Sequence, residues 1–242
     1  ALTFDIGGTK ISCTIIDETG KVVGDIEKFS TPKTIDGIKD IIKKAVEKYE
    51  NEVDTIGIAT AGAVNNENTA VISSTGNLVE NYRNIKFQEF SKLPVFVEND
   101  ANAAAWAEHI IGSSKGCANS VMLTLGTGVG GGIILNNKLF KGKSGAAGEM
   151  HFKMFTDKRR KCTCGAYDCF EIYASGNGLR LTAVDMSGNK DITTYDVIDG
   201  VKKQDKLMTD ILNKWQDDIK IGIVGLDNWF DPDCFVLSVS ME

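Results

Sequence analysis

The sequence has little of several features that define other classes of protein. It holds only 3 prolines and 2 histidines in 242 residues, and its densest basic cluster, at 158–161, has four members. Together with a net charge of −6, this predicts no nucleic-acid partner and no anionic membrane surface as a partner. No apolar stretch approaches the roughly 20 residues of a membrane span. The first residues lack the basic and apolar parts of a secretion signal, which favours a cytoplasmic location.

Glycine, by contrast, is abundant and concentrated. Eight of the 25 glycines lie between Gly126 and Gly148. Clustered glycines bring backbone close to a ligand or allow positive φ angles, although ordinary tight turns use them too. With 42% apolar and 25% charged residues, the chain is long enough for one large domain or two lobes of roughly 100–150 residues.

The hydrophobic periodicity predicts alternating strands and helices. The predicted strands are Leu2–Ile6, Ile11–Ile16, Lys21–Phe29, Thr55–Ala59, Leu93–Val97, Val121–Leu125, Gly130–Leu135 and Cys234–Leu237. The predicted helices are Ile35–Tyr49, Ala101–Ile111, Phe170–Val184 and Asp205–Leu226. Each half begins with strands joined by a glycine turn. We therefore expect an α/β protein with an N-terminal lobe at 1–110, a C-terminal lobe at 111–242 and a central cleft between them.

Two glycine-rich turns, one in each predicted lobe, are candidate phosphate sites. In Asp5-Ile6-Gly7-Gly8-Thr9-Lys10, glycine exposes backbone N–H groups to an anion, Thr9 offers a hydroxyl and Asp5 offers a cation ligand. A simple β-turn is the alternative. The run Gly126–Gly132 matches G-x-G-x-x-G by letter, but strand-like Ile133–Leu135 follows it where a dinucleotide fold has a helix. The presence of two such turns instead suggests that both bind one polyphosphate.

Carboxylates with a candidate chemical role follow the strand before the second predicted helix. In Glu98-Asn99-Asp100-Ala101-Asn102, Asn99 and Asp100 are also ordinary helix-capping residues, so a purely structural role is the alternative. A phosphoryl-acceptor hydroxyl needs a carboxylate that accepts its proton, and Asp100 is placed to do so. Glu149 and Glu171 form a second pair that flanks a cysteine cluster.

That cluster comprises Cys162, Cys164 and Cys169, three thiols within eight residues. Spacing of this kind favours a structural zinc site, for which a nearby histidine is the natural fourth ligand. Three incidental thiols are the alternative. His151 is close in sequence, whereas His109 falls in the earlier predicted helix, where we expect it on the surface.

Together these motifs resemble the ROK family of sugar kinases and repressors. The resemblance rests on DIGGTK, GTGVGGG and the tract from Gly148 through Glu171, and extends from residue 2 to about residue 240. It implies the two-lobed, actin-like (ribonuclease-H-like) α/β ATPase fold. It also implies a homodimer that binds ATP, Mg²⁺ and a small-molecule sugar. A terminal helix expected in the family is absent before Glu242, so we expect a chain truncated at its C-terminus.

The resemblance also assigns residues to roles. Asp100 is implied as the catalytic base. The implied ATP- and magnesium-binding residues are Asp5, Gly7, Gly8, Thr9, Lys10, Gly126, Thr127 and Gly128. The implied sugar-binding residues are Gly62, Asn77, Asn99, Asp100, Glu149, His151 and Glu171.

Four positions in three segments depart from the family pattern. The family's fourth zinc ligand is the histidine of G-E-x-G-H, but that position holds Phe152 and the glycine position holds His151. We predict that His151 completes the zinc site, while three-coordinate zinc and an empty site stay open. Asp168 replaces a glycine between the cysteines, and Val239 replaces a glycine in the turn beside the adenosine.

The resemblance implies ATP-dependent phosphorylation of a hexose or N-acylhexosamine, at O6. Ala101–Glu108 and Ile58–Gly62 are similar to bacterial N-acetylmannosamine kinases, which makes N-acetylmannosamine the preferred substrate and glucose the alternative. A sugar-binding sensor with weak catalysis is a further alternative. A repressor would carry an N-terminal helix-turn-helix. Because the first motif begins at Asp5, we expect a kinase and not a repressor.

Overall fold

The computed structural model describes residues 1–74, 78–150, 152–155 and 159–240. They form two compact units. Unit 1 comprises Ala1–Lys115 and Leu139–Ala147, and unit 2 comprises Gly116–Lys138 and the chain from Gly148 onward. These limits differ from those of the predicted lobes, 1–110 and 111–242, which stay a prediction about domains.

Unit 1 is built on a five-stranded sheet with the order β3-β2-β1-β4-β7. Its strands are β1 (Leu2–Ile6), β2 (Lys10–Ile16), β3 (Val22–Ser30), β4 (Ile56–Thr60) and β7 (Val95–Asn99). The first three are antiparallel, whereas β1, β4 and β7 are parallel. The short pair β5 (Ala63–Val64) and β6 (Val71–Ser73) and two 3-10 turns, Tyr82–Asn84 and Phe87–Phe90, lie between β4 and β7.

The core of unit 1 follows from sequence periodicity. In β1, Leu2, Phe4 and Ile6 are buried and Asp5 is exposed, because alternate side chains point to opposite faces of a sheet. Helix α1 (Ile35–Tyr49) has the predicted bounds. It buries residues three, four and seven positions apart, the spacing of one helical face: Ile38, Ile42, Ala45 and Val46.

The parallel strands of unit 1 end together at one edge of the sheet. Asp5 pairs in register with Ala59, and Ala59 with Glu98. Helix α2 (Asp100–Ile110) starts at this edge, directly after β7. Its N-cap is Asn99, whose side chain accepts a hydrogen bond from the Asn102 N–H. The carboxyl ends of parallel strands are where open α/β sheets place ligands.

Unit 2 has a four-stranded sheet with the order β10-β9-β8-β11. Its strands are β8 (Ser120–Leu125), β9 (Val129–Leu135), β10 (Lys138–Leu139) and β11 (Cys234–Val239). Its helices are α3 (Glu171–Ala174), α4 (Gly176–Ser187), α5 (Thr194–Lys202) and α6 (Lys206–Phe230). A separate apolar core joins the sheet to these helices through buried side chains that include Leu123, Ile133, Phe170, Leu179 and Trp215.

Several predicted bounds in unit 2 are corrected by the structure. The predicted helix Phe170–Val184 is two helices, because Ser175 adopts an extended conformation between α3 and α4. Helix α6 runs on to Phe230, and β11 continues to Val239. Among the described helices, none combines the length and the apolar character that crossing a bilayer requires.

Candidate active site

The first glycine turn, in unit 1, joins β1 to β2 and is held tightly. The Gly7 N–H donates to the Lys10 carbonyl (2.9 Å), and a Cβ at Gly7 would approach that oxygen to 3.3 Å. Thr31 anchors the turn from β3's end: its hydroxyl donates to the Gly7 carbonyl (2.6 Å) and its N–H to the Thr9 carbonyl (2.9 Å). Thr9 and Lys10 are exposed. The turn is therefore a rigid backbone loop with polar side chains on its outside.

Asp5, at the end of β1, has an unfavourable electrostatic environment for a carboxylate. Partial desolvation raises its pKa, the charge of Asp100 raises it further, and Lys10 opposes both effects. The two carboxylates thus interact across the shared edge of the sheet. A carboxylate held charged against such costs is a frequent property of functional sites. Asp5 and Thr9 both offer hard oxygen ligands, the donor type that Mg²⁺ prefers.

The predicted sugar side of unit 1 brings together Gly62, Asn99 and Asp100. The Asn99 amide donates to the Gly62 carbonyl (3.1 Å), while its oxygen caps α2. Gly62 has φ +100, and a Cβ there would overlap the Ser73 carbonyl, so the position requires glycine. Asp100 is exposed, and its Oδ1 accepts from the Ala101 N–H (2.9 Å). Capping therefore does not exclude the ligand role that the sequence predicts for this turn.

The second glycine turn, in unit 2, joins β8 to β9 and meets the start of α4. The Gly126 N–H donates to the Gly128 carbonyl (3.0 Å). The Gly176 N–H donates to the Gly126 carbonyl (2.8 Å), and the Asn177 amide to the Thr127 carbonyl (2.9 Å). Sequence reasoning missed Gly176 and Asn177. The signal was present, because Ser-Gly-Asn-Gly inside a predicted helix marks a break and a new N-cap.

A cavity of about 270 Å³ opens beside this turn in unit 2. Its lining combines the turn, the first turns of α4 and α5 and the end of the chain: Gly126, Thr127, Gly176, Asn177, Arg180, Thr193, Thr194, Tyr195 and Ser240. Backbone amides, hydroxyls, one guanidinium and one aromatic ring surround it. That combination suits a polar, anionic ligand with a planar part.

Glu171 contacts the second glycine turn rather than standing apart from it. The Val129 N–H donates to its Oε2 (3.3 Å), and a Cβ at Gly128 would come within 2.8 Å of the same oxygen. Its other oxygen accepts from the Thr163 hydroxyl (3.2 Å). Glu149 is exposed and precedes Met150, which packs in the core of unit 2. Gly131 of β9 allows Gly148 and Met150 to pack against the strand, since a Cβ at Gly131 would crowd both residues.

The three predicted zinc ligands are brought together by the structure. The Cys162, Cys164 and Cys169 sulfurs lie within 4.8 Å of one another, and the Cys164 and Cys169 sulfurs are 3.6 Å apart. Tetrahedral zinc with Zn–S bonds of about 2.3 Å requires sulfurs about 3.8 Å apart. The Ala166 N–H lowers the pKa of Cys164, whereas burial raises that of Cys169 to about 12. The donor set fits zinc.

The Asp168 substitution is explained by the backbone between these cysteines. Asp168 has φ +59, the left-handed conformation that glycine adopts most easily. Its fully buried carboxylate accepts from the Tyr173 hydroxyl (2.7 Å) and from the Arg160 N–H (2.9 Å). Aspartate therefore replaces conformational freedom with fixed side-chain hydrogen bonds.

Two of the predicted ligands, Asn77 and His151, lie outside the described residues. His109, predicted on the surface, is instead buried, with 8% of its area exposed. It packs against Trp106 on α2 at a ring-centroid separation of 5.4 Å. The surface prediction was wrong because α2 turns this position toward the interior of unit 1.

Comparison with known proteins identifies the family to which the chain belongs. A sequence model of the ROK family matches residues 1–242. Glucokinase of Streptomyces coelicolor is 43% identical over 180 residues, covering 72% of this chain and 56% of its own length. The xylose repressor of Bacillus spizizenii is 29% identical over 248 residues, covering 100% and 64%. N-acetylmannosamine kinase of Haemophilus influenzae is 30% identical over 220 residues, covering 88% and 71%.

A solved structure agrees with these relatives. A ROK family glucokinase from Streptomyces griseus, in complex with glucose and AMPPNP, superposes with a TM-score of 0.80 at 33% identity. The match covers 99% of this chain and 83% of that one. The chain belongs to the ROK family, and the predicted actin-like α/β fold is confirmed. The chain spans 56% of the length of the Streptomyces coelicolor relative.

Proposed function

We propose that this protein is an ATP-dependent sugar kinase that transfers the γ-phosphoryl group to O6 of a hexose. The observation that carries this proposal is the pairing of Asp100 and Asp5 at one sheet edge in unit 1. Asp100 stands exposed in the first turn of α2, and its charge raises the pKa of Asp5. Phosphoryl transfer needs one carboxylate for the acceptor proton and another for the metal ion, and this edge supplies both.

Residues of both units have proposed roles in binding the sugar. Asp100 accepts the proton of the attacking hydroxyl, and Asn99 has one amide hydrogen and one lone pair beyond its contacts to Gly62 and Asn102. Glu149 and Glu171 are proposed as further hydroxyl partners. Asn77 and His151 keep that role as a prediction. Many neutral donors and acceptors suit a sugar, because each buried hydroxyl must find a partner.

Both glycine turns are proposed to bind the ATP phosphates. Gly7, Gly8, Thr9 and Lys10 supply backbone and side-chain donors from unit 1, and Gly126, Thr127 and Gly128 do so from unit 2. Mg²⁺, held by Asp5 directly or through water, would neutralise charge on the phosphates. The cavity beside Gly126 is proposed to hold the nucleoside, with Ser240 at its wall.

Glucose is the proposed acceptor, with N-acetylmannosamine second. Identity to the Streptomyces coelicolor glucokinase is 43%, compared with 30% to the Haemophilus influenzae N-acetylmannosamine kinase. The second candidate is favoured by the alanine-rich stretch around Trp106 and by Ile58–Gly62. A sugar-responsive regulator is a second function class, supported by the 29% identity to a xylose repressor.

Zinc is proposed to be structural in unit 2. Cys162, Cys164 and Cys169 supply three ligands, and His151 is predicted as the fourth. Glu171 begins α3 only two residues after Cys169. Fixing the cysteine loop would therefore fix Glu171 against the second glycine turn. A homodimer and a cytoplasmic location stay predictions.

The decisive experiment is ATP turnover measured across a sugar panel, with Asp100→Asn as the test variant. Glucose, N-acetylmannosamine, N-acetylglucosamine, fructose and xylose are compared by ADP release. We expect glucose to give the highest kcat/KM, and Asp100→Asn to lower kcat by about 10²–10⁴ with little change in the KM for ATP. The Asn side chain retains the Oδ1 acceptor for the Ala101 N–H, so the fold is preserved.

Asp54→Asn is the matched control, since Asp54 is exposed before β4 and away from the site edge. Its kinetics should equal those of the wild type. Activity retained by Asp100→Asn would remove the base assignment. Sugar binding without ATP turnover in the wild type would favour the regulator.

A further inference from the structure

A largely buried ion pair lies behind the proposed catalytic turn of unit 1. The Lys141 ammonium is 2.9 Å from Glu98 Oε2, and only 11% and 17% of the two side chains are exposed. Lys141 belongs to 139–147, the segment that packs with unit 1. Glu98 is the second-last residue of β7.

The Glu98 carboxylate accepts three hydrogen bonds and pairs with one ammonium. Its Oε1 accepts from the Asn99 N–H (2.9 Å) and from the Asn102 amide (3.3 Å). Its Oε2 accepts from the Asn68 amide (2.7 Å) and forms the ion pair with Lys141. One carboxylate therefore ties the last residue of β7 to the first turn of α2. Asp100 lies between the two tied positions.

Lys141 is itself fixed by neighbouring backbone. Its ammonium also donates to the Asn65 carbonyl (2.8 Å). The adjacent carbonyls of Gly142 and Lys143 accept from the Asn66 amide (3.1 and 3.0 Å). The cation is thus held at Glu98 by two loops rather than by a flexible chain end. Such fixed partners preorganise the groups they touch.

The pair also determines the charge beside the proposed site. Glu98 occupies the strand position in register with Ala59 and Asp5. Without Lys141, a mostly buried negative charge would be left two residues from Asp100 and on the same sheet as Asp5. Breaking a buried pair leaves an uncompensated charge that the structure must relax to solvate. The relaxation would act on the β7–α2 turn, because Glu98 binds that turn directly.

We infer that Glu98 and Lys141 are positioning residues that hold Asn99 and Asp100 in the geometry for proton acceptance and sugar binding. This inference rests on the proposed function for its kinetic consequence. Its structural consequence, an ordered turn at residues 98–102, holds independently of any activity. The two consequences are measured separately.

The test compares Lys141→Met with the matched control Lys143→Met. Lys143 lies in the same segment, but its side chain is exposed. For Lys141→Met we expect kcat with glucose to fall by about 10–10²-fold, with the KM for ATP within about twofold. Lys141→Arg should recover part of the loss because it restores the cation, and Lys143→Met should match the wild type. Hydrogen exchange of the peptide containing residues 98–102 should be faster in Lys141→Met alone.

Glu98→Gln provides a second route if Lys141→Met folds poorly. It keeps the size of the side chain and one acceptor for the Asn99 N–H, but it removes the charge. We expect the same fall in kcat and the same faster hydrogen exchange at residues 98–102. The double variant, with both Lys141→Met and Glu98→Gln, should lose no more kcat than the larger single loss, because both changes break one interaction.

Three results separate the possibilities. Unchanged exchange at 98–102 in both variants overturns the inference whatever the activity. A lower melting temperature with unchanged kcat and KM in the folded protein also overturns it, since that is a purely structural role. Faster exchange in a protein whose wild type phosphorylates no sugar supports the positioning of the turn and rejects the proposed function.

Discussion

At the scale of single residues, the candidate site contains a carboxylate, Asp5, whose charged form is electrostatically unfavourable. Asp5 lies near the end of a strand in which Leu2, Phe4 and Ile6 are buried, and its raised pKa means that the folded state disfavours the charged carboxylate. A group of this kind contributes stability at low pH, which is lost as the pH rises through its folded-state pKa. The charged form of Asp5 therefore costs folding stability, and its proposed role in magnesium binding would be the reason to keep it.

Asp5→Asn should separate the two effects. We expect kcat/KM to fall by about 10–100-fold through weakened magnesium binding, and the melting temperature at neutral pH to rise slightly. The two melting temperatures should converge below the ordinary Asp pKa of about 3.9, where the wild-type carboxyl is also protonated. Calorimetry across pH and steady-state kinetics measure both.

Asp17→Asn is the opposite control. The hydroxyl of Thr19 lowers the pKa of Asp17, so that carboxylate stabilises the fold at neutral pH and its loss should lower the melting temperature there. A melting temperature of Asp5→Asn below that of the wild type at neutral pH would show that Asp5 has a favourable partner, and would contradict the cost described here.

The candidate residues that sequence reasoning could identify are those whose pattern is local in sequence. Asn99 and Asp100 are identified by their place between a strand and a helix, and the cysteines by their mutual spacing. Lys141 and Asn177 were missed because their partners, Glu98 and Thr127, are more than 40 residues away in sequence. The misplacement of His109 has the same origin, since tertiary packing decides which face of a short alanine-rich helix is covered.

At the scale of elements, the longer strands and the long helices were predicted well. The short strands β5, β6 and β10, helix α5 and the break at Ser175 were not predicted. Helix α1 has the predicted bounds because one continuous apolar face defines it. The break at Ser175 is stabilised by contacts from elsewhere. The Trp215 indole donates to its carbonyl (3.0 Å), and its own hydroxyl caps α4 at Gly178. A single helix was predicted because the apolar pattern continues through this point and the Ser-Gly-Asn-Gly signal at 175–178 was overlooked.

Helix α6 offers a matched pair of glycines for the next prediction. A Cβ at Gly222 would overlap the ring of Phe170, which is fully buried and stacks on Phe152 at a centroid distance of 4.8 Å. A Cβ at Gly225 would meet no described atom within 4 Å outside its own helical turn. We expect Gly225→Ala to stabilise the protein by up to about 1 kcal/mol through helix propensity.

Gly222→Ala should instead destabilise it by about 1–3 kcal/mol, because overpacking of a rigid ring exceeds the gain in propensity. Each 1 kcal/mol corresponds to about 2–4 °C in melting temperature for a protein of this size. Equal stabilisation by both variants would mean that Phe170 can move aside without cost.

At the scale of the whole molecule, the tryptophans are divided between the two units. Trp106 lies on helix α2 of unit 1 and is exposed, whereas Trp215 is buried in the core of unit 2. The proposed zinc site also belongs to unit 2, where backbone pairing of Lys161 with Tyr167 and of Lys153 with Cys169 closes the cysteine loop. Metal binding free energy is folding free energy for the segment that supplies the ligands. Loss of zinc should therefore first change the signal of probes in unit 2, such as the fluorescence of Trp215.

The last prediction uses Trp106→Phe, which leaves Trp215 and Trp229 as fluorophores. Purified protein should contain one zinc per chain by elemental analysis, and a chelator should lower the melting temperature reported by these tryptophans. Cys164→Ser should lose the metal, because a two-thiolate site falls short of the ligand set of structural zinc. Cys117→Ser, which changes a thiol outside the cluster, should keep it.

Protein that carries no zinc after expression with added zinc, and whose melting is insensitive to chelators, would show that three thiols 3.6–4.8 Å apart are held by protein packing alone. The order of the Glu171 loop would then come from hydrogen bonds such as those of Asp168 rather than from a metal.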